Sequence, residues 1–338
     1  MRRLRRFAPL FAVMLFLISC SDKEGTRTEI NLLGTTCTVT LYDRRPEPVL
    51  DAAFERIRDI DWRMKYTGTE SEVVALNRSA GGEGVRLSES TLEVLNRGLY
   101  FSELGDGSFD ITIGPLVSLW GIGKDVEGEV PPKAEIEAAL ELIDYRRVLV
   151  NGDLVSLEDP GMSVDLGGIA KGYAADELVE IFEAENVEHA LINLGGNVYA
   201  HGTKPDGSQW RIGVQDPESN RGAYLGVLSV SDRAVVTSGP YERFFIQDGK
   251  RYHHILDTES GYPVENGVSS VTIVAENSMD ADALSTTIFV LGPEKGIELI
   301  EGLDGVEALV ITTDKLLHPS SGFMESFSLT DEEYRFAP

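Results

Sequence analysis

Between residues 48 and 62 the apolar positions are Val49, Leu50, Ala53, Phe54, Ile57 and Ile60. Steps of three and four put them on one face of a helix. The same period returns over 90–104 through Leu92, Leu95 and Leu99, with Ser90 and Glu93 spaced as a capping box. Pro132, ahead of Ile136, Leu140 and Ile143, suits the first turn of a third helix. A fourth is predicted around Gly172, beginning near Ala170, and a fifth from Ser278, a good N-cap, to Gly292. Elsewhere the apolar runs shorten into strands. "RRVLV" and "DLVSL" flank Asn151-Gly152, and "RFFIQ" and "KRYHHIL" flank Asp248-Gly249, two dipeptides suited to tight hairpin turns. "YLGVLSVS" and "SVTIVA" add further strands. Hairpins interleaved with helices predict an α+β fold with largely antiparallel sheets. The compact spacing predicts one catalytic unit over 30–330, in one lobe or two.

The N-terminus follows a different pattern. Arg2, Arg3, Arg5 and Arg6 precede the apolar run "FAPLFAVMLFLIS", a length suited to a signal peptide and too short to span a membrane comfortably. The run ends in "LISC", which looks like a bacterial lipobox, so residues 1–19 are expected to be removed and Cys20 lipidated. Residues 20–29 are polar and read as a tether. Cys37 is then the one unmodified cysteine, which leaves no disulfide framework. Losing four arginines and no acids moves the net charge from −26 to −30. Such an excess excludes a nucleic-acid partner and repels any anionic substrate unless a cation intervenes.

Five stretches can carry chemistry. "DLGGIAKGYAADEL" (165–178) places Asp165, Gly167, Gly168 and Lys171 at a helix start, where free N–H groups and a lysine suit a phosphate and Asp165 can accept from a ribose or a ring. A tight strand-to-helix turn explains the glycines equally well. In "ADALSTTIFVLG" (281–292), Asp282, Ser285 and Thr286 share a helix face as hard oxygen ligands suited to Mg²⁺. Alternatively Asp280 and Asp282 only favour the helix N-terminus. "GSFDITIGPLVSLWGIG" (107–123) offers Phe109 or Trp120 as a wall for a planar ring, or as core. "NLGGN" (193–197) reads by itself as a turn. The fifth, 237–264, gathers Thr237, Ser238, Arg243, His253, His254 and Asp257; the two adjacent histidines must face opposite sides, so one at most points at a site. No G-x-S-x-G elbow, H-E-x-x-H helix or C-x-x-C pair appears, which counts against serine hydrolases, zinc peptidases and thiol redox enzymes.

Taken together and in this order, these stretches resemble the ApbE-type FAD:protein FMN transferases over roughly residues 30–320. The resemblance implies a T-fold-like unit that cleaves FAD with Mg²⁺, joins FMN to a threonine hydroxyl of a target protein and releases AMP. Matched residue by residue, it makes Leu33, Ser108, Phe109, Asp110, Asp165, Lys171 and Ile255 flavin-nucleotide contacts. It makes the Gly168 carbonyl, Asp282, Ser285 and Thr286 the metal ligands, with Asp282 and His254 as candidate bases. It also implies a lipid-anchored protein on the periplasmic side of the cell envelope, acting on a membrane redox subunit. In such an acidic chain the cation becomes more necessary, which predicts strong Mg²⁺ dependence. Two departures stand out. "DTESG" carries Thr258 and Ser260 where the family has proline and threonine, which predicts a looser turn, and Tyr66 lies one position early for stacking on a flavin. A Mg²⁺-dependent FAD pyrophosphatase would use the same site with water as the acceptor. A flavin-storing lipoprotein would not need the Asp282/Thr286 face.

Overall fold

The computed structural model describes residues 24–43, 46–123, 128–220 and 222–338. The signal segment and Cys20 therefore lie outside the described residues. One nine-stranded sheet organises the molecule. Its order is Gly25–Leu32, Thr35–Leu41, His189–Leu194, Asn197–Gly202, Arg233–Ser238, Val268–Ala275, Glu307–Thr312, Leu316–Pro319 and Arg335–Phe336. Every pairing is antiparallel except the last. The strand Val268–Ala275 is buried along its whole length, as a strand covered on both faces must be.

Eight α-helices occur among the described residues: α1 Pro46–Met64, α2 Glu72–Arg78, α3 Glu89–Leu104, α4 Gly114–Leu119, α5 Lys133–Leu140, α6 Ala170–Ala184, α7 Ser278–Leu291 and α8 Pro293–Glu301. None is long and apolar enough to cross a membrane. Helices α1, α6 and α7 bury their apolar faces against the sheet in the main core, through Phe54, Ile57, Leu178, Phe182, Leu284 and Ile288. A three-stranded sheet of Trp210–Gln215, Tyr224–Val230 and Phe327–Leu329 covers the opposite face through Trp210, Leu228 and Phe327. A small cluster around Trp120, Ile136 and Leu256 joins α4 and α5 to the hairpin Phe244–Gln247/Lys250–His253.

The expected helices and strands form, with shifted ends. Helix α3 starts one residue before Ser90, so Ser88 is its cap, held in turn by Glu72; Glu93 plays no capping part. Asn277 caps α7, and Ser278 is its first residue. At the first hairpin Asn151 pairs with Leu154, so the turn residues are Gly152 and Asp153, with glycine at the position needing a positive φ. The second hairpin turns on Asp248-Gly249 as expected, both with positive φ. The larger correction concerns 20–29, expected as a tether: from Gly25 it is an edge strand. Its composition misleads because one flank faces solvent, and hydroxyl pairs such as Thr28 with Thr38 replace apolar cross-strand contacts.

Candidate functional site

A cavity of about 460 Å³ opens where the N-terminal ends of α6 and α7 meet the turns at 33–34 and 195–196 and the loop before the 244–253 hairpin. The volume lies in the range of small-molecule and cofactor sites. The helices approach each other closely because Gly172 of α6 lies against the backbone of Ser278 and Met279. Asp176 ties the two together, its carboxylate oxygens accepting from the Ser278 and Met279 N–H groups at 2.7 and 2.8 Å.

Lys171 and Asp282 meet at this junction. Lys171 Nζ lies 3.0 and 3.3 Å from the two Asp282 oxygens and 3.2 Å from the Gly167 carbonyl. Asp282, 3 % exposed, also accepts the Gly172 N–H at 3.0 Å. Gly172 is the third residue of α6, so its N–H has no partner within the helix, and Asp282 supplies one. Asp280 is sent elsewhere, into an ion pair with Arg97 of α3.

Thr286 lines the cavity beside Asp282, whereas Ser285 does not. The Ser285 hydroxyl donates its single proton to the Asp282 carbonyl at 2.8 Å. In its 2.8 Å bond with Ser238, Ser238 must therefore be the donor. Ser238, which does line the cavity, consequently offers it lone pairs and no proton. The Gly168 carbonyl, the Asp282 carboxylate, Thr286 and Ser238 make a hard-oxygen wall, chemically suited to Mg²⁺. Ser285 stands one layer behind it.

The other matched residues line the same cavity: Leu33, Ser108, Phe109, Asp110, Asp165, His254 and Ile255. Leu33 sits in the turn between Gly25–Leu32 and Thr35–Leu41 with φ 49°, a conformation unfavourable for leucine, and its N–H is held by Asp61 of α1 at 2.9 Å. Phe109 closes over Gly168, where a Cβ would meet its ring at 3.0 Å. Trp120 instead is core, stacked on Tyr252 and bonded to the Gly261 carbonyl. Asp110 spends its oxygens on Thr112 and on the Tyr145 N–H, so it shapes the wall. Asp165 accepts the Gly167 N–H at 2.7 Å, and enclosure in the site pushes its carboxyl up. Tyr66 does not line the cavity; its hydroxyl donates to the Gly114 carbonyl.

The two histidines face opposite ways, as the strand alternation requires. His253 packs edge-on against Phe289 and bonds the Val264 carbonyl, while His254 lines the cavity. His254 Nδ1 is 3.2 Å from the Arg243 carbonyl, which can only accept, so Nδ1 carries the proton and Nε2 keeps a lone pair. Enclosure, with Arg243 nearby, pushes its pKa down to about 3 and keeps the ring neutral. The "DTESG" turn is fastened rather than loose: Thr258 donates to the Gly107 carbonyl at 2.7 Å and Ser260 to Asp257 at 2.8 Å. The hydroxyls take over the restraint expected of proline.

Residues without a role in the sequence reading also surface. Arg243 reaches across the mouth to the Gly34 carbonyl at 2.6 Å. Lys171 and Arg243 are the only lysine and arginine in the described lining, against the carboxyls of Asp110, Asp165, Glu242 and Asp282. Two buried polar atoms of the lining, Ser108 Oγ and Asn197 Nδ2, have no hydrogen-bond partner.

Asp176 supplies a stability test. Burial pushes its carboxyl up to about 7, whereas the unfolded group titrates near 3.9. Between those values the folded chain holds the proton more firmly, so this contribution is complete below about pH 4 and lost as pH rises to about 7. The melting-temperature advantage of the wild type over Asp176→Asn should therefore shrink by a few degrees, as an order of magnitude, between pH 4.5 and 7.5. A gap that stays constant or widens would refute it.

The ApbE family model matches residues 33–310. A FAD:protein FMN transferase of Treponema pallidum is 36 % identical over 352 residues, covering 97 % of each chain. One from Klebsiella pneumoniae is 37 % identical, covering 93 % of this chain and 98 % of its own. Among solved structures, the ApbE protein of Thermotoga maritima superposes with a TM-score of 0.83 at 34 % identity, over 90 % of this chain and 99 % of its own. The flavin transferase ApbE of Vibrio cholerae gives 0.81 at 28 % identity, with the same coverage. The matched segment holds every cavity residue except Asn31, and on these grounds the chain belongs to the ApbE family.

Proposed function

We propose that this protein is a FAD:protein FMN transferase that moves FMN from FAD to a threonine hydroxyl of an acceptor protein and releases AMP. The observation that carries the reading is the junction of α6 and α7, where Asp282, Thr286 and Gly168 meet Lys171 in the wall of one cavity. Relatives that match nearly the full chain bear that activity as their name. The ring of Phe109, at the cavity wall over Gly168, suits a planar ligand. Asp282, Thr286 and the Gly168 carbonyl would hold Mg²⁺, which supplies the positive charge that a diphosphate needs in so acidic a cavity.

The threonine oxygen bonds to the flavin-side phosphorus, the bond from that phosphorus to the bridging oxygen breaks, and AMP leaves with the electron pair. Lys171 balances phosphate charge. The hydroxyl proton must go to a base. His254, neutral and reluctant to charge, accepts the hydroxyl's hydrogen bond at Nε2 and orients it. Asp282 and His254, both in the cavity wall, are the two candidates for that base. Residues 1–19 act as a signal peptide, and lipidation of Cys20 tethers the enzyme to the periplasmic side of the envelope, beside a membrane redox subunit as acceptor.

Mass spectrometry after mixing the protein with FAD, Mg²⁺ and a candidate acceptor tests this. One FMN gained on a threonine, AMP released, and no gain in EDTA are expected. FMN and AMP appearing free without labelling of any acceptor would make water the acceptor and the protein a pyrophosphatase.

A further inference from the structure

We propose that Arg243 is a positioning residue for the transfer step: by strapping itself to the far wall of the cavity, it holds in place the carbonyl that orients His254. The inference rests on the reading above, in which His254 Nε2 orients the acceptor hydroxyl.

The Arg243 carbonyl is committed to one residue. It accepts the His254 backbone N–H and the His254 Nδ1–H, each at 3.2 Å. A carbonyl oxygen has two lone pairs, so both are spent on His254. The bond from Nδ1 selects the tautomer, and it leaves Nε2 a lone pair on a residue that lines the cavity.

That carbonyl stands where the hairpin is weakest. Strand Phe244–Gln247 pairs with Lys250–His253, and Arg243 lies one residue before it, so the ladder reaches Arg243 only through its terminal bond from His254. Arg243 is also exposed, and ladder ends of this kind open more readily than their middles. The side chain adds the restraint. Its Nη2 donates to the Gly34 carbonyl at 2.6 Å, a short bond from an ionised donor and of the stronger kind. Gly34 belongs to the turn between Gly25–Leu32 and Thr35–Leu41, and that turn is fastened to α1 through Leu33 and Asp61. An unbroken run of contacts therefore leads from α1, across the mouth, to the atom that sets the His254 ring.

Two measurements on the full-length protein test this. With 15N-labelled histidine, the apo wild type should show the His254 ring protonated at Nδ1, its signals assigned by their loss in His254→Gln. In Arg243→Ala the Nε2–H form should appear beside it. Gly34→Ala attacks the same bond from the other end, because its Cβ would lie 3.2 Å from Arg243 Nη2 on backbone at φ 66°. It should reproduce the tautomer change with the Arg243 charge intact. Transfer is then followed as AMP release in the labelling mixture described above. Arg243→Lys keeps the charge but loses the fork, so it should bind FAD within about twofold of the wild type while kcat falls about tenfold or more. A ring that stays Nδ1–H in both Arg243→Ala and Gly34→Ala would mean that the ladder alone holds the carbonyl, and would overturn the proposal. So would a tautomer change with wild-type turnover. A tenfold loss of FAD affinity in Arg243→Lys with kcat kept would also overturn it, by making the guanidinium a ligand contact. A wild type that releases no AMP from FAD removes the transferase reading, and this inference with it.

Discussion

Asp282→Ala should lose turnover by about a hundredfold or more and should bind FAD in EDTA at least as well as the wild type. The two halves of this expectation have one cause. Asp282 is a buried carboxylate held by the Gly172 N–H and the Lys171 ammonium. Without a divalent cation it is a negative charge facing a diphosphate, and it occupies the lysine that would otherwise meet that diphosphate. Removing it lowers the repulsion and frees Lys171, so affinity for the anion in EDTA holds or rises. With Mg²⁺ present the order reverses, because the wild type gains a cation that the variant cannot hold. Flavin fluorescence titrations with and without Mg²⁺, beside AMP release, separate the two effects. Asp282→Asn keeps an acceptor for Gly172 and should show the same reversal with less damage to stability. Turnover near the wild-type level in either variant would remove Asp282 from the metal site. Affinity in EDTA that collapses with turnover would instead make the carboxylate part of the FAD contact itself.

The residues meeting at this junction were partly legible in the chain, and the reason is local. Asp282, Ser285 and Thr286 stand out because their spacing puts three oxygens on one helical face, and Lys171 because it follows two glycines at a helix start. Spacing within one element is enough to see them. What spacing could not tell is which of the three oxygens faces the ligand, since the Ser285 proton is directed by its own helix and its neighbour is Ser238, 47 residues away. The strand from Gly25 was misread because an edge strand with hydroxyl ladders carries too few apolar positions to signal itself.

Gly172→Ala should lower the melting temperature by about 3–5 °C and lose most turnover, although it adds a single methyl group. A Cβ at this position would lie 2.3 Å from the Ser278 carbonyl oxygen and 2.5 Å from the Met279 Cα. These are backbone atoms at the start of α7, so no side chain can swing aside; the two helices must separate. Alanine is the better helix former, and by propensity alone the change in this first turn would stabilise by at most about 0.8–1.0 kcal/mol. The steric term opposes it with about 3 kcal/mol or more for overpacking against backbone, and it wins. Separation acts on the chemistry at once, because Gly172 and its neighbour Lys171 both bond Asp282 across the gap that opens. It also pulls Asp176 from the Ser278 and Met279 N–H groups. Stability and Mg²⁺ affinity should therefore fall together in this variant, whereas Asp282→Asn should lose mainly the metal. A Gly172→Ala protein that melts within a degree or two of the wild type would mean that α6 and α7 can slide apart freely. The rigid junction to which this mechanism assigns both ligand and metal would then have to be given up.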